Sequence, residues 1–214
     1  MPAKKQAPTS TGGRQAAYTA RNRAKLVQIA LEVLAEIGPS ATIEQVSAMA
    51  QVSPTTIYKY FETKDRMFAE ALDLAWRDWV VWSYNGEPAA QSLESVLDSA
   101  RKLFWMRQTH PQFARIIHNT LSNPAFLIAS VQSSAYETLK ALAERGEIKN
   151  QDFDERAILW ANCLAGLLTA VHVNEVMSPT EAETAFGIGL SIWGISEAKA
   201  AKLISRPLVF SSLK

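Results

Sequence analysis

Apolar residues recur three and four positions apart along most of the chain, and no segment alternates apolar and polar residues as a half-buried strand would. The run from Leu26 to Ile37 shows this spacing clearly, and Gly38 is suited to end its helix. The same spacing predicts a long helix from Thr63 to about Tyr84. Later helices are predicted over residues 92–109, 111–121, 124–146, 153–177 and 180–203. The pattern therefore predicts an all-α protein.

Residues 42–64, with the sequence TIEQVSAMAQVSPTTIYKYFETK, are predicted to form two short helices joined by a tight turn. Thr42 can cap the first helix, because Gln45 stands three positions later and can complete a capping box. Ser53 can cap the second helix, and Pro54 suits its first position, where a missing N–H costs nothing.

The second of these helices has one apolar side and one polar side. Ile57 and Phe61 are four residues apart and are expected to point into the core, together with Val52. The outer side carries hydroxyl, amine and phenol groups, which suit phosphate oxygens and base edges in a major groove of DNA. An ordinary helical hairpin with a solvated face is the alternative, and such hairpins are common. The outward side chains are those of Thr55, Thr56, Tyr58, Lys59 and Tyr60.

The run from Thr42 to Phe68 resembles the DNA-binding domain of the TetR family of bacterial transcriptional regulators. The resemblance is carried by VSPTTIYKYF at residues 52–61 and by TKDRMF at residues 63–68. The preceding apolar helix is similar as well, so the resemblance covers roughly residues 20–70, and it is nearly absent afterwards. It implies an all-α fold of about nine helices, with an N-terminal three-helix helix-turn-helix domain and a larger C-terminal helical ligand-binding and dimerisation domain.

Gln51 departs from the family pattern, which usually has glycine in the turn at this position. Glycine adopts a left-handed backbone without strain, whereas a residue with a Cβ loses on the order of 1 kcal/mol there. We therefore expect the helix-turn-helix motif to be kept, and its turn is the part whose geometry the sequence leaves open.

The resemblance implies that this segment contacts DNA in two ways. Residues on the outer face of the second helix are expected at or near base edges, and Thr42, Tyr60 and Lys64 are expected at phosphates. The candidate DNA-binding residues are Thr42, Ser53, Thr55, Thr56, Tyr58, Lys59, Tyr60 and Lys64.

Charge is distributed unevenly, although the net charge of the chain is only +1. Residues 1–70 contain nine Lys and Arg against six acids, and the first 31 residues contain six basic side chains and no acid. This composition predicts a disordered basic arm over residues 1–19, which either contacts DNA or acts only as a solubilising tail. The predicted domains are then residues 20–66 for the helix-turn-helix and residues 67–214 for effector binding and dimerisation.

Aromatic side chains recur through the C-terminal part of the chain, and two interpretations remain open. They either fill a core or line a cavity that suits a flat or apolar small molecule. The family resemblance favours a cavity, because TetR-like C-terminal domains usually enclose an effector pocket between their middle helices. The candidate pocket residues are Trp79, Trp82, Trp105, Met106, Phe113, Ile117, Tyr136, Trp160, Cys163 and Leu167.

The last two predicted helices, over residues 153–177 and 180–203, are apolar on more than one side. Such helices must be covered on each apolar side, either by a second subunit or within their own subunit. Two helices from each of two subunits would form a four-helix dimer interface, as in TetR-like proteins. The candidate interface residues are Leu164, Leu168, His172, Phe186, Leu190 and Trp193.

The patterns of common catalytic and metal sites are missing from the sequence. The three histidines are scattered, Cys163 is the single cysteine, and neither a phosphate-binding loop nor a nucleophile elbow is present. We therefore expect no enzymatic activity, no metal and no cofactor. The most apolar segment, residues 157–173, is interrupted by polar side chains and is short for a bilayer. With no secretory signal in the sequence, a cytoplasmic protein without membrane contact is expected.

Together these observations predict a ligand-responsive transcriptional regulator that binds a palindromic operator in double-stranded DNA as a homodimer. A small apolar or aromatic effector would release the DNA by favouring a conformation with wrongly spaced reading heads. Repression is favoured over activation because the family mostly represses. The alternatives are a transcriptional activator and a helical small-molecule sensor or adaptor dimer that does not bind DNA.

Overall fold

The computed structural model describes residues 11–85, 92–120 and 135–210, and the regular elements in these ranges are all helical, which confirms the predicted fold class. Short 3-10 helices occupy Gly38–Ser40, Leu103–Trp105 and Leu190–Trp193. The α-helices are α1 (Thr11–Ile37), α2 (Ile43–Ala50), α3 (Pro54–Tyr58), α4 (Lys64–Ser83), α5 (Leu93–Lys102), α6 (Met106–Thr109), α7 (Pro111–Thr120), α8 (135–144 within the described part), α9 (Phe153–His172), α10 (Pro179–Gly189) and α11 (Glu197–Ile204).

The helices belong to two compact units. The N-terminal unit contains the described residues up to Leu34 together with Ser40–Asp73, and the C-terminal unit contains Ala35–Pro39 and the described residues from Leu74 onward. Helix α4 therefore contributes its first half to one unit and its second half to the other. The division within α4 comes after Asp73, whereas the sequence placed the domain boundary after residue 66.

Helix α1 begins earlier than the sequence indicated. Residues 11–19, expected to belong to a disordered arm, are helical, and the side chains of residues 13–21 are exposed. Gln15, Ala16 and Ala17 are good helix formers, so propensity continues the helix here although no core contact supports it. The rest of the predicted arm, residues 1–10, lies outside the described residues.

One side chain from each of the first four helices is completely buried in the N-terminal unit. These are Ala30 of α1, Val46 of α2, Ile57 of α3 and Met67 of α4, each with no exposed surface. Phe61, which follows α3, is only 1% exposed, so Ile57 and Phe61 are both inside as their spacing predicted. Because this unit is small, each of these side chains is a large part of its core.

The C-terminal unit has one continuous apolar cluster that draws on most of its helices. Aromatic rings link its parts: Phe104 and Phe186 meet edge to face with centroids 5.8 Å apart, and Trp160 lies 4.9 Å from Phe186. Leu142 and Leu168 are completely buried beside this group. The cluster therefore gives α9 and α10 a dense packing partner inside their own chain.

The six residues predicted to form a dimer interface belong to this core, and that assignment is corrected. Their exposed fractions lie between 0% and 4%, since α9 packs on α10 and on the 3-10 helix that follows α10. The alternative of burial within one subunit therefore holds for Leu164, Leu168, His172, Phe186, Leu190 and Trp193.

The single helix predicted over residues 180–203 is divided at Gly194. This glycine has a φ of 74°, in the left-handed region that disfavours residues with a Cβ. A Cβ at this position would lie 3.2 Å from Cβ of Lys149, and the Lys149 N–H donates to the Trp193 carbonyl at 2.9 Å. The chain therefore turns between the 3-10 helix and α11.

The helix predicted over residues 92–109 is likewise divided, at the 3-10 helix Leu103–Trp105. The Leu103 carbonyl accepts the Met106 N–H, and it also accepts Nε2–H of the buried His172 imidazole at 2.8 Å. A side chain that competes for a backbone carbonyl is a recognised cause of such irregularity in a helix. Burial lowers the pKa of His172, so this imidazole is held neutral.

A buried charge cluster connects α5 to α10 and to Arg206, which follows α11. The Arg101 guanidinium donates to Glu183 at 2.5 Å and 3.0 Å, to Asp98 at 3.2 Å and to the Arg206 carbonyl at 3.0 Å. The other Glu183 oxygen accepts the Trp105 indole N–H at 2.6 Å. Burial raises the pKa of Asp98, although Arg206 and Arg101 oppose this effect. These bonds satisfy groups whose burial would otherwise be costly.

None of the described helices is both long enough and apolar enough to cross a membrane.

The core assignment in the N-terminal unit can be tested with a matched pair of methionine substitutions. Met67 is fully buried and Met49 is 42% exposed within the same unit. Met67→Ala should lower the free energy of unfolding by about 2–5 kcal/mol, because it removes buried atoms and leaves a cavity. Met49→Ala should change it by less than about 0.5 kcal/mol. Equal destabilisation of the two variants in chemical denaturation would contradict this core.

Candidate nucleic-acid interface

Helix α2 begins with the predicted capping box. The Thr42 hydroxyl accepts the Gln45 N–H at 3.3 Å, and Gln45 Oε1 accepts the Thr42 N–H at 2.8 Å. Two N–H groups at the helix start are thereby satisfied without an outside partner. The hydroxyl hydrogen of Thr42 remains available as a donor toward a ligand.

The turn between α2 and α3 keeps the left-handed geometry although it lacks glycine. Gln51 has φ 56° and ψ 42°, and its N–H donates to the Ala48 carbonyl at 3.2 Å. The Val52 N–H donates to the Ser47 carbonyl at 3.0 Å, which completes a Schellman-type helix end. The left-handed conformation of Gln51 therefore costs on the order of 1 kcal/mol, and it produces the sharp turn between α2 and α3.

Helix α3 is short, and its start is well defined. Ser53 Oγ accepts the Thr56 N–H at 3.2 Å, and Pro54 occupies the first helical position. After Tyr58 the backbone continues in tight turns, with the Tyr60 N–H donating to the Ile57 carbonyl at 2.9 Å. The helical arrangement of side chains therefore continues slightly beyond the end of α3.

Arg23 of α1 holds the end of this segment in place. Its guanidinium donates to both carboxylate oxygens of Glu70, at 3.0 Å and 2.5 Å, and also to the Tyr60 carbonyl. Its carbon Cζ lies 4.4 Å from the centre of the Phe61 ring. A planar guanidinium can combine a two-point ion pair with contact to a ring face, which a lysine could not do. One side chain therefore joins α1, α4 and the residues after α3.

The sequence did not identify Arg23 or Glu70 as important residues. They are separated by 47 positions, so no helical spacing connects them. In the sequence, Arg23 is only a basic residue at the edge of the apolar face of α1. Such a position is equally typical of an exposed basic side chain that makes no ion pair. A long-range ion pair of this kind becomes visible only in the folded chain.

Four predicted DNA-binding residues are exposed around α3. Tyr58 is 51% exposed, and Ser53, Thr55 and Lys59 belong to the exposed class as well. The Thr56 hydroxyl lies 2.9 Å from Ser53 Oγ, so the two hydroxyls at the start of α3 are bonded to each other. The exposed set therefore offers hydroxyl, phenol and amine groups on one short element.

The residues predicted at phosphates already have partners within the chain. The Lys64 amine donates to the Ala41 carbonyl at 3.3 Å, and the Tyr60 hydroxyl accepts from Asn22 at 3.3 Å. Each bond uses only part of the capacity of its group, because an ammonium has three donors and a phenol can both accept and donate. Thr42 is half-buried. These contacts position the groups and leave each a remaining donor.

The C-terminal unit contains a small apolar cavity of about 120 Å³. Among the predicted pocket residues, Trp79 and Trp160 line it. The sequence did not include Trp76 or Leu97, which also line it, although both lie on the apolar faces of helices that had been predicted.

The other predicted pocket residues lie elsewhere. Trp82 meets the His110 ring, Trp105 donates to Glu183, Phe113 packs against Trp76, and the Tyr136 hydroxyl donates to Asp154. Met106 is fully buried, Leu167 packs at the edge of the core, and burial raises the pKa of the Cys163 thiol. The side chain of Ile117 lies outside the described residues.

Within the described ranges, no group of three or more His, Cys, Asp or Glu side chains is arranged to hold a metal ion.

Residues 26–71 match the family described as bacterial regulatory proteins, tetR family. The similarity to the TetR family at the level of sequence therefore concerns the N-terminal domain. The match includes both short helices, the turn at Gln51 and Glu70, the partner of Arg23. No curated protein shows a significant match to the chain.

Solved structures of TetR-type regulators have the same fold over nearly their whole length. RolR in complex with its ligand resorcinol is 20% identical, with a TM-score of 0.64 over 91% of this chain and 98% of RolR. A TetR-family regulator from Streptomyces coelicolor is 16% identical, with a TM-score of 0.61 over 86% of this chain and 87% of its own. A TetR-like regulator from Rhodococcus is 20% identical, with a TM-score of 0.54 over 82% of this chain and 94% of its own. At such identities the likeness concerns the fold.

The left-handed turn predicts opposite effects for two Gln→Gly substitutions. Gln51→Gly should raise the free energy of unfolding of the N-terminal unit by up to about 1 kcal/mol, because glycine accepts the left-handed backbone. Gln28→Gly, at an exposed position inside α1, should lower it by about 1 kcal/mol. Thermal and urea unfolding of both variants would measure the difference. Equal destabilisation by the two changes would contradict the turn geometry.

Proposed function

We propose that this chain is a TetR-family, ligand-responsive transcriptional regulator that binds a palindromic operator as a homodimer. Repression is the proposed mode, since the family mostly represses. Each subunit would place α3 in a major groove, with Thr55, Tyr58 and Lys59 toward base edges and Thr42, Tyr60 and Lys64 at phosphates. A cytoplasmic location and the absence of enzymatic activity belong to the same proposal.

The observation that carries this proposal is the way α3 is held. Its inner side is fixed by the buried Ile57 and Phe61, and its following residues are fixed by Arg23, while its outer side remains exposed. A rigid element with an exposed polar side is what recognition of base edges requires, because each contact depends on accurate placement. A solvated hairpin without a partner would not need such support.

A small effector is supported by the apolar cavity in the C-terminal unit. RolR, whose fold is similar, was crystallised with resorcinol, a compound with a single aromatic ring. An effector would regulate DNA binding only to the extent that it binds one conformation more tightly than the other. A small aromatic or apolar compound is therefore the proposed effector class.

A homodimer is supported by the surface that α9 and α10 leave uncovered. Ile158 and Leu159 of α9 are 51% and 59% exposed, and Ile188 of α10 is 74% exposed. Asn162 and Gly166 continue the exposed stripe of α9 at helical spacing. We propose that this stripe, instead of the buried residues named from the sequence, contacts the second subunit.

Binding to the DNA upstream of its own gene tests the regulator against a sensor that does not bind DNA. Fluorescence anisotropy across a range of salt concentrations should show specific binding by the full chain. Lys64→Ala should weaken binding to all sequences alike and lower the salt slope by about 1, because one phosphate is no longer neutralised. An unchanged slope would show that Lys64 does not bind a phosphate.

The matched control is Lys199→Ala, which removes an exposed amine in the C-terminal unit. Its affinity and salt slope should equal those of the unmodified chain. Because Lys64 also bonds the Ala41 carbonyl, the melting temperature of Lys64→Ala must be measured beside its binding. If the unmodified chain binds its upstream DNA no better than random DNA, a DNA-free sensor is favoured.

The proposed dimer surface is tested by placing a charge on it. Ile188→Glu should convert the dimer to a monomer, because an unpaired carboxylate would be buried at the interface. Val176→Glu, at a 76% exposed position between α9 and α10, should leave the dimer intact. Light scattering after size-exclusion chromatography would measure both masses. A dimer that survives Ile188→Glu would place the interface elsewhere.

A further inference from the structure

The N-terminal half of α1 carries basic and aromatic side chains along one side. Arg14, Tyr18, Arg21 and Lys25 are separated by four, three and four positions, so they follow one another along the same side of the helix. All four side chains are exposed, and Tyr18 is 59% exposed. We call these four residues the α1 stripe.

The positive charge of this part of α1 points in one direction. A second exposed side of the same helix contains only alanines, namely Ala16, Ala17, Ala20 and Ala24. Successive positions are rotated by about 100° around the helix axis, so Ala20 and Ala24 lie well away from the stripe. The first acidic residue of the chain is Glu32, seven positions after Lys25. The charges of the α1 stripe therefore have no acid nearby on their own helix.

The α1 stripe adjoins the proposed DNA-binding surface within the N-terminal unit. Nδ2 of Asn22 donates to the Tyr60 hydroxyl at 3.3 Å, and Tyr60 is one of the residues proposed at a phosphate. Tyr18 lies four positions before Asn22 and Lys25 lies three positions after it, which makes both side chains its neighbours on the helix surface. The stripe therefore starts beside the Tyr60 hydroxyl and continues toward the start of α1.

The chemistry and length of the α1 stripe suit a row of phosphates. Two guanidinium groups and an amine can each neutralise one phosphate, and a phenol can donate to another. From Arg14 to Lys25 the helix rises by about 16 Å, whereas each strand of DNA has one phosphate for every 3.4 Å or so of its axis. Several phosphates of one strand thus fall within the length of the stripe.

From this arrangement we propose that the α1 stripe binds the phosphate backbone of DNA that borders the groove occupied by α3. This inference rests on the proposed function, because it extends the DNA-binding surface beyond Thr42, Tyr60 and Lys64. It depends on the helical order of residues 11–19, since only a helix places the four side chains on one side. Contacts to phosphates carry no base information, so the stripe adds equally to specific and non-specific binding.

Exchanging Ala20 and Arg21 tests the proposal without changing composition or net charge. Fluorescence anisotropy of the full chain would measure binding to its upstream DNA and to a random duplex of equal length. Arg21→Ala should weaken binding to both duplexes by about three- to tenfold at about 0.15 M salt, and it should lower the salt slope by about 1. The exchange variant, Ala20→Arg with Arg21→Ala, should show most of the same loss, because its guanidinium is on the alanine side.

The same comparison at Lys25 gives an independent measurement. Lys25→Ala and the exchange variant Ala24→Lys with Lys25→Ala should both lose affinity and salt slope as the variants at Arg21 do. Because Arg21 and Lys25 are exposed, all four variants should keep the melting temperature of the unmodified chain. This control separates a lost phosphate contact from a damaged domain.

The outcomes distinguish the stripe from the proposed function. Exchange variants that bind both duplexes as tightly as the unmodified chain would overturn the stripe, because net charge alone would then explain any effect of the alanine variants. Specific binding to the upstream DNA in that case would still support the regulator. Equal binding to both duplexes that falls in the exchange variants would support the stripe and count against the regulator. Variants that lose affinity for phosphatidylserine vesicles but none for DNA would make the stripe a membrane-binding surface and overturn the proposal.

Discussion

The ion pair between Arg23 and Glu70 is the interaction on which the proposed DNA-binding surface depends. It joins α1 to α4, and the same guanidinium reaches the Tyr60 carbonyl and the Phe61 ring. Because α3 is only five residues long, its own hydrogen bonds could not hold it rigidly. The orientation of its outer side chains is therefore set by contacts that come from other helices.

The left-handed turn at Gln51 is likewise held by residues other than Gln51 itself. A residue with a Cβ is strained there, yet the capping box of α2 and the serine cap of α3 fix the chain on both sides. Both short helices also bury an apolar residue, Val46 and Ile57, against the common core. Packing and caps together hold a backbone that Gln51 alone would avoid.

The C-terminal unit combines a dense apolar core with buried polar groups that are held by hydrogen bonds from distant parts of the chain. Arg101, Glu183 and Trp105 satisfy each other in a buried cluster, and His172 finds the Leu103 carbonyl. Five buried polar atoms of this unit still lack a partner among the described residues: the indole nitrogens of Trp79 and Trp193, Nδ1 of His110 and of His172, and Nη1 of Arg206.

The sequence by itself determined the features that depend on neighbours along the chain. The cap at Thr42, the start at Ser53 and Pro54, and the inward side of Ile57 and Phe61 are all local, and the structure has them as predicted. Periodicity also predicted helices throughout, but not the breaks at Leu103–Trp105 and at Gly194. The tertiary structure decided which apolar helix faces pack within their own subunit. Periodicity predicts that such a face is covered, but it does not show which element covers it. The residues assigned to a dimer interface, such as Leu168, are therefore core. The Arg23–Glu70 pair and the wall of the cavity likewise join residues far apart in sequence, and only the folded chain brings them together.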